Sequence, residues 1–95
     1  MKDLFSDLYK TIELRKSYGK KNSYTKKLFN EGEKKIAQKF GEESSELLID
    51  FLKGSKKRTT EEAIDVIYHL FVLLSAKKIK FNDLEKEILK RKNVR

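Results

Sequence analysis

The chain has 95 residues, no cysteine, no proline and a formal net charge of +8 at pH 7. This length fits one domain with a modest core, and the absence of cysteine excludes a disulfide framework and thiolate metal sites. The positive charge is typical of a protein with a polyanionic ligand, either nucleic acid or a phosphorylated small molecule, although scattered surface lysines alone would produce the same charge.

The chain shows no sign of a targeting or membrane segment. The first residues, MKDLFSDLYK, include acids and lack an apolar stretch, so no signal peptide is predicted. The longest apolar run, near Val66–Ala76, is interrupted by His69 and is too short to cross a bilayer. We therefore expect a soluble cytoplasmic protein with no membrane partner.

Apolar residues at helical spacing predict a first amphipathic helix over residues 2–16. Residues 17–23, SYGKKNS, have the glycine and asparagine of a loop. Ser23 or Thr25 would cap a short second helix, which Gly32 would end or bend.

A third helix is predicted from about Glu33 to Lys53, and Gly54 follows its end. Two starts compete for the fourth helix. Thr59 would form a capping box with Glu62, whereas a start at Ser55 leaves the Glu62 side chain free inside the helix. We prefer Ser55, because a glutamate folded back onto its own cap could not also bind a metal.

The segment KKIK ends the fourth helix, and Asn82 with Glu85 predicts a capped start to a last helix. The last residues, RKNVR, are expected to form a frayed basic tail. No stretch alternates as a β-strand would. The predicted fold is therefore all-α, a bundle of four to five helices.

Two pairs of acids stand out. Glu43 and Glu46 lie three residues apart in the third helix, and Glu62 and Asp65 repeat this spacing in the fourth, so each pair shares a helix face. If the two helices fold back on each other, four carboxylates converge and repel one another unless a cation lies between them. Oxygen ligands of this kind hold Mg²⁺, often together with substrate phosphates. The alternative is a solvated face paired with lysines, but the apolar neighbours of these acids argue against it.

Other side chains are candidates for supporting roles. His69 lies one turn after Asp65 and would either donate a hydrogen bond to a carboxylate or pack as a structural histidine. Glu42 points away from the first pair and would support the site from outside or face solvent. The basic residues that would bind substrate phosphate are Lys35, Lys39 and Arg15.

A set of short motifs continues through most of the chain. In order they are Ser23-Tyr24-Thr25, Leu28-Phe29, Gly32, Lys35-Ile36-Ala37-Gln38-Lys39, Gly41-Glu42-Glu43 with Glu46, and Glu62-Ala63-x-Asp65-x-x-Tyr68-His69-Leu70. Together they resemble the phosphoribosyl-ATP pyrophosphohydrolases of histidine biosynthesis, in the all-α NTP pyrophosphatase (MazG-like) superfamily. The resemblance covers roughly Leu4 to Leu89. The lysine-rich turn KGSKKRTT departs from it, since acids are more usual there.

The resemblance implies a MazG-like all-α fold completed by a homodimer, with one domain over residues 1–95 and no fused second enzyme. It also implies Mg²⁺-dependent hydrolysis of phosphoribosyl-ATP to phosphoribosyl-AMP and pyrophosphate, the second step of histidine biosynthesis. The residues implied in metal binding and catalysis are Glu43, Glu46, Glu62 and Asp65.

Two alternatives remain open. The superfamily motif fits a housekeeping (d)NTP pyrophosphatase equally well, and the stretch from Ser23 to Glu43 favours the histidine enzyme. A small basic helical protein that binds nucleic acid would explain the charge of +8 but not two acidic pairs in apolar helices. We therefore expect a nucleotide substrate and no nucleic-acid partner.

Overall fold

The structure, a computed structural model, describes residues 3–18 and 23–92. Over these residues the chain forms five helices and no strand, which confirms the all-α prediction. The helices are α1 (Leu4–Tyr18), α2 (Tyr24–Glu31), α3 (Glu33–Lys53), α4 (Lys56–Ala76) and α5 (Phe81–Arg91).

Side-chain caps set the starts of α2 and α4. The Ser23 hydroxyl accepts the backbone N–H of Lys26 at 3.4 Å, and the Ser55 hydroxyl accepts that of Arg58 at 3.0 Å. The preferred start of the fourth helix at Ser55 is therefore confirmed. Gly32 separates α2 from α3 at a φ of 96°, in the left-handed region that side chains with a Cβ rarely adopt.

The predicted start of the last helix was wrong. Asn82 lies inside α5, which begins at Phe81, because the Asp83 carboxylate accepts the backbone N–H of Lys80 at 2.9 Å. The first helix ends two residues later than predicted, at Tyr18. The rest of the predicted loop, residues 19–22, and most of the predicted tail, residues 93–95, lie outside the described residues.

The hairpin of α3 and α4 is the main structural unit. These two helices form the most extensive helix–helix contact, and a turn of two residues, Gly54 and Ser55, joins them. Helices α1 and α2 cover the start of α3 and the end of α4, and the core lies there, formed by Tyr9, Ile12, Leu28, Ile36, Phe71 and Val72. The hairpin tip, which we define as residues 46–64, contributes none of these core residues.

Polar and aromatic contacts hold the outer helices against this core. The Lys16 ammonium donates to the backbone carbonyl of Ser75 at 3.0 Å, where the negative end of the α4 dipole favours a cation. The Tyr9 hydroxyl donates to the carbonyl of Ile79, and its ring lies 5.6 Å from that of Phe81, so α5 is tied to α1. No helix within the described ranges is long and apolar enough to cross a membrane.

Ile12→Ala tests the position of the core. Ile12 is 1% exposed, so this substitution should lower the free energy of unfolding by about 2–5 kcal/mol, through lost burial and a cavity. Leu14→Ala, on the same helix at an exposed position, should change it by no more than about 0.5 kcal/mol. Urea unfolding measures both values, and equal losses in the two variants would contradict this core.

Candidate active site

Three of the four predicted carboxylates meet between α3 and α4. One carboxylate oxygen from each of Glu43, Glu62 and Asp65 lies within 4.8 Å of the others. Glu62 and Asp65 share one face of α4, and the antiparallel hairpin brings Glu43 of α3 opposite to them. Glu62 is buried, Glu43 is half-buried and Asp65 is exposed, so the cluster opens to solvent on one side.

The Glu62 carboxylate is incompletely satisfied. It is 4% exposed, and its Oε1 accepts a hydrogen bond from Arg58 Nη2 at 2.8 Å. Its Oε2 is buried and has no hydrogen-bond partner. An unpartnered buried oxygen on a charged group is costly, because nothing replaces the water it has lost. A cation bound between the three carboxylates would replace it, so the donor set fits a hard divalent ion.

The electrostatics agree with this geometry. Burial raises the pKa of the Glu62 carboxyl above its usual value, the charge of Glu46 raises it further, and Arg58 opposes the rise. Burial likewise raises the pKa of Glu43, again helped by the charge of Glu46. Both carboxyls therefore retain protons more strongly than free glutamates do, as expected of acids gathered without enough positive charge.

The fourth predicted carboxylate lies apart from this group. Glu46 is exposed one turn further along α3 and is not among the three acids within 4.8 Å. Its charge still reaches the cluster, because it contributes to the raised pKa values of Glu43 and Glu62. Glu46 is thus placed at the edge of the cluster, where it would face a ligand rather than the buried centre.

The three basic residues predicted to bind phosphate differ in their distance from the carboxylate cluster. Lys39 lies 3.9 Å from the Glu43 carboxylate and 3.4 Å from that of Glu42, so its ammonium is at the site. Lys35 lies one turn earlier on the same helix and is half-buried, and Arg15 is exposed on α1. Glu42 is exposed and accepts a hydrogen bond from Gln38 at 3.0 Å, so it faces away from the cluster, as the helical spacing predicted.

His69 is placed differently from the first of its two predicted roles. Its Nδ1 donates to the backbone carbonyl of Asp65 at 2.7 Å, so the histidine does not donate to a carboxylate. With the Nδ1 proton engaged, Nε2 of the neutral ring accepts the Tyr24 hydroxyl at 2.9 Å. His69 is buried and remains close enough to Glu43 for its charged form to oppose the raised pKa of that carboxyl.

Tyr24 is a site residue that the sequence did not single out. Its ring stacks on that of Tyr68 with centroids 6.1 Å apart, and the Tyr68 hydroxyl is hydrogen-bonded to that of Thr25. Burial raises the pKa of Tyr24, and nearby Lys39 opposes the rise. The start of α2 is thereby fixed against α4 beside the acids. Tyr24 and Thr25 do belong to the Ser-Tyr-Thr motif, the one signal that could have directed attention to them.

Fold and site together define an all-α protein with a cluster of three carboxylates between two antiparallel helices. Residues 5–92 match the family described as phosphoribosyl-ATP pyrophosphohydrolase, and the chain belongs to this family. A protein named phosphoribosyl-ATP pyrophosphatase from Bacillus cereus (strain B4264) is 44% identical over 91 residues, which are 96% of this chain and 85% of that protein. Proteins of the same name from Bacillus mycoides and Bacillus anthracis are 42% identical over the same shares of the two chains.

The raised pKa values predict an unusual pH dependence for the metal-free protein. A carboxyl whose pKa is higher in the folded than in the unfolded state stabilises the fold when protonated. Glu43 and Glu62 therefore add stability as the pH falls through their raised pKa values towards the ordinary value of 4.5, and this stability is lost as the pH rises. Glu62→Gln removes one of these groups. Melting temperatures measured in EDTA along this pH range should rise less on acidification in the variant than in the wild type.

All other titrating groups are present in both proteins, so the difference reports Glu62 together with its effect on the neighbouring carboxyls. A divalent cation bound by these carboxylates would compete with the same protons, so any stabilisation by Mg²⁺ should shrink as the pH falls. Identical pH profiles for the two proteins in EDTA would contradict the raised pKa of Glu62.

Proposed function

We propose that this protein hydrolyses phosphoribosyl-ATP to phosphoribosyl-AMP and pyrophosphate, with Mg²⁺ bound by Glu43, Glu62 and Asp65. Membership of the family and the name shared by its relatives support the substrate. The observation that carries the site is the partnerless Oε2 of buried Glu62, placed among two further carboxylates. This reaction is the second step of histidine biosynthesis, and a cytoplasmic location remains a prediction.

The metal would supply positive charge that offsets the charge of the substrate phosphates and of the leaving pyrophosphate. The chain's own residues would do the rest. Lys39 is placed to bind a phosphate oxygen at the edge of the cluster, with Lys35 and Arg15 as further candidates. Exposed Glu46 would hold the attacking water and accept its proton, because it adjoins the cluster without being buried in it.

Pyrophosphate release tests the function. The purified protein should release pyrophosphate, and not orthophosphate, from phosphoribosyl-ATP when Mg²⁺ is present, and should lose this activity in EDTA. Glu62→Gln should lower kcat by about 10²-fold or more, because it removes a ligand that stabilises charge in the transition state. Glu85→Gln, at an exposed position of α5 outside the cluster, is the matched control and should stay near the wild-type rate.

The same assay distinguishes the alternatives. Turnover of dUTP or another NTP equal to that of phosphoribosyl-ATP would favour a housekeeping pyrophosphatase. A Glu62→Gln variant with full activity would contradict the site. Tight DNA binding that weakens steeply with salt, without any hydrolysis, would favour the nucleic-acid-binding alternative.

We also propose a homodimer formed through the hairpin tip. The large apolar residues of this tip that are exposed are Leu48, Ile49, Phe51 and Leu52 on α3, and Ile64 on α4. An apolar patch of this kind on a small protein marks an interface. A second copy is the occupant that fits, because the patch flanks an acidic cluster on each chain and the core of one copy is modest.

Leu52→Glu should convert the dimer into a monomer, since it places a charge in the proposed interface. Leu52 is 76% exposed in one copy, so the fold itself should tolerate the change. Leu4→Glu is the control, because Leu4 is 74% exposed but lies on α1, away from the tip. Light scattering after gel filtration measures the mass. A monomeric wild type at micromolar concentration, or a dimeric Leu52→Glu variant, would contradict the interface.

A further inference from the structure

Arg58 makes the most extensive set of ion pairs in the described part of the chain, and all three of its partners are acids of the hairpin. Its Nη2 lies 2.8 Å from Oε1 of Glu62 and 3.7 Å from Oδ2 of Asp50, and its Nη1 lies 3.3 Å from Oε1 of Glu61. Asp50 belongs to α3 and the other two acids to α4, so one guanidinium joins both helices. Its positive charge therefore lies beside the cluster of Glu43, Glu62 and Asp65 without being part of it.

The pair with Glu62 is asymmetric in burial. The Arg58 side chain is 57% exposed, whereas the Glu62 side chain is 6% exposed. The guanidinium reaches a buried carboxylate from the solvent side and binds one of its two oxygens. The other oxygen, Oε2, has no hydrogen-bond partner, and Glu62 is the residue that forms the carboxylate cluster with Glu43 and Asp65. Glu62 thus has one oxygen held by an internal cation and one left for an external cation.

We propose that Arg58 is an internal counter-ion that competes with the metal for the charge of Glu62, and that it thereby weakens metal binding while stabilising the metal-free hairpin. The inference rests on the metal site of the proposed function. Two cations that share one carboxylate repel each other, and each lowers the favourable interaction energy between the other cation and the carboxylate. Because this coupling is reciprocal, removing Arg58 strengthens metal binding by the same factor by which the metal weakens the hold of Arg58.

Two other roles for Arg58 predict different signs. An exposed surface ion pair would contribute little to the free energy of unfolding, and the same amount with and without metal. A guanidinium that holds Glu62 in the geometry needed for metal binding would aid the metal, so its removal would weaken binding. The sign of the change in Mg²⁺ affinity therefore separates competition from positioning, and an unchanged affinity identifies a surface pair.

Calorimetric titration of Mg²⁺ into the metal-free protein, without substrate and at about pH 8, makes this measurement. Arg58→Gln should bind Mg²⁺ about fivefold more tightly than the wild type, or tighter still, the range typical of coupled sites. Lys57→Gln removes the same charge from the neighbouring residue, which is exposed and makes no ion pair within the described ranges, and should bind as the wild type does. Arg58→Lys keeps the charge and should resemble the wild type.

Thermal melts give a second readout of the same coupling. In EDTA, Arg58→Gln should have a lower melting temperature than the wild type. Saturating Mg²⁺ should narrow this difference in melting temperature, because the metal then offsets the negative charge of Glu62 in place of Arg58. If the variant is unfolded in EDTA, folding on addition of Mg²⁺ supports the proposal and an unfolded state in both buffers overturns it.

The outcomes separate this inference from the proposed function. Mg²⁺ binding by the wild type, with equal or weaker binding by Arg58→Gln, overturns the role of Arg58 and leaves the metal site intact. Tighter binding by Lys57→Gln to the same degree also overturns it, since general charge would then be the cause. A wild type that binds no Mg²⁺ in the titration overturns the metal site and the role of Arg58 together.

Discussion

The buried carboxylate of Glu62 is the constraint on which the hairpin depends. It is 4% exposed, lies among other acids and is compensated on one oxygen only. Placing such a group inside an antiparallel helix pair opposes folding, because charge loses water and gains like charges. The hairpin tolerates it through the Arg58 contact from solvent and through the packed core formed with α1 and α2. The acid cluster and the apolar core thus occupy different stretches of one helix pair.

The short helix α2 contacts both the core and the neighbourhood of the acids. Leu28 lies in the core, whereas Tyr24, one turn earlier, reaches the His69 ring beside the acids. His69 in turn donates to the carbonyl of Asp65, so a change in the position of α2 would shift the backbone that carries Asp65. Through this contact the Ser-Tyr-Thr motif is physically connected to the acidic motif of α4, although the two are far apart in the sequence.

The sequence predicted the parts of the structure that depend on local chemistry. Gly32, Gly54 and Ser55 mark helix ends, so α3 and the start of α4 followed from them. The start of α5 was missed although it is also local, because Asn82 is a favoured cap residue and lysine is not, whereas the helix begins after Lys80. Spacing likewise predicted that acids on α3 and α4 would meet. It could not predict that Glu46 stays at the edge, because that depends on how each helix is rotated about its axis. Nor could it predict that His69 turns to a carbonyl one turn back in its own helix, because that depends on the side-chain rotamer.

The separation of the core from the hairpin tip also has a consequence for dynamics. Amide protons near Val72 are protected by the packing of four helices, so they exchange with solvent only when the whole domain opens. Those near Phe51 lie where a single helix pair stands alone, so they exchange through partial opening at a lower free-energy cost. A second chain packed on the tip, or a cation that joins the two helices beside it, would close that low-energy route. The mobility of the tip would then depend on what the protein binds.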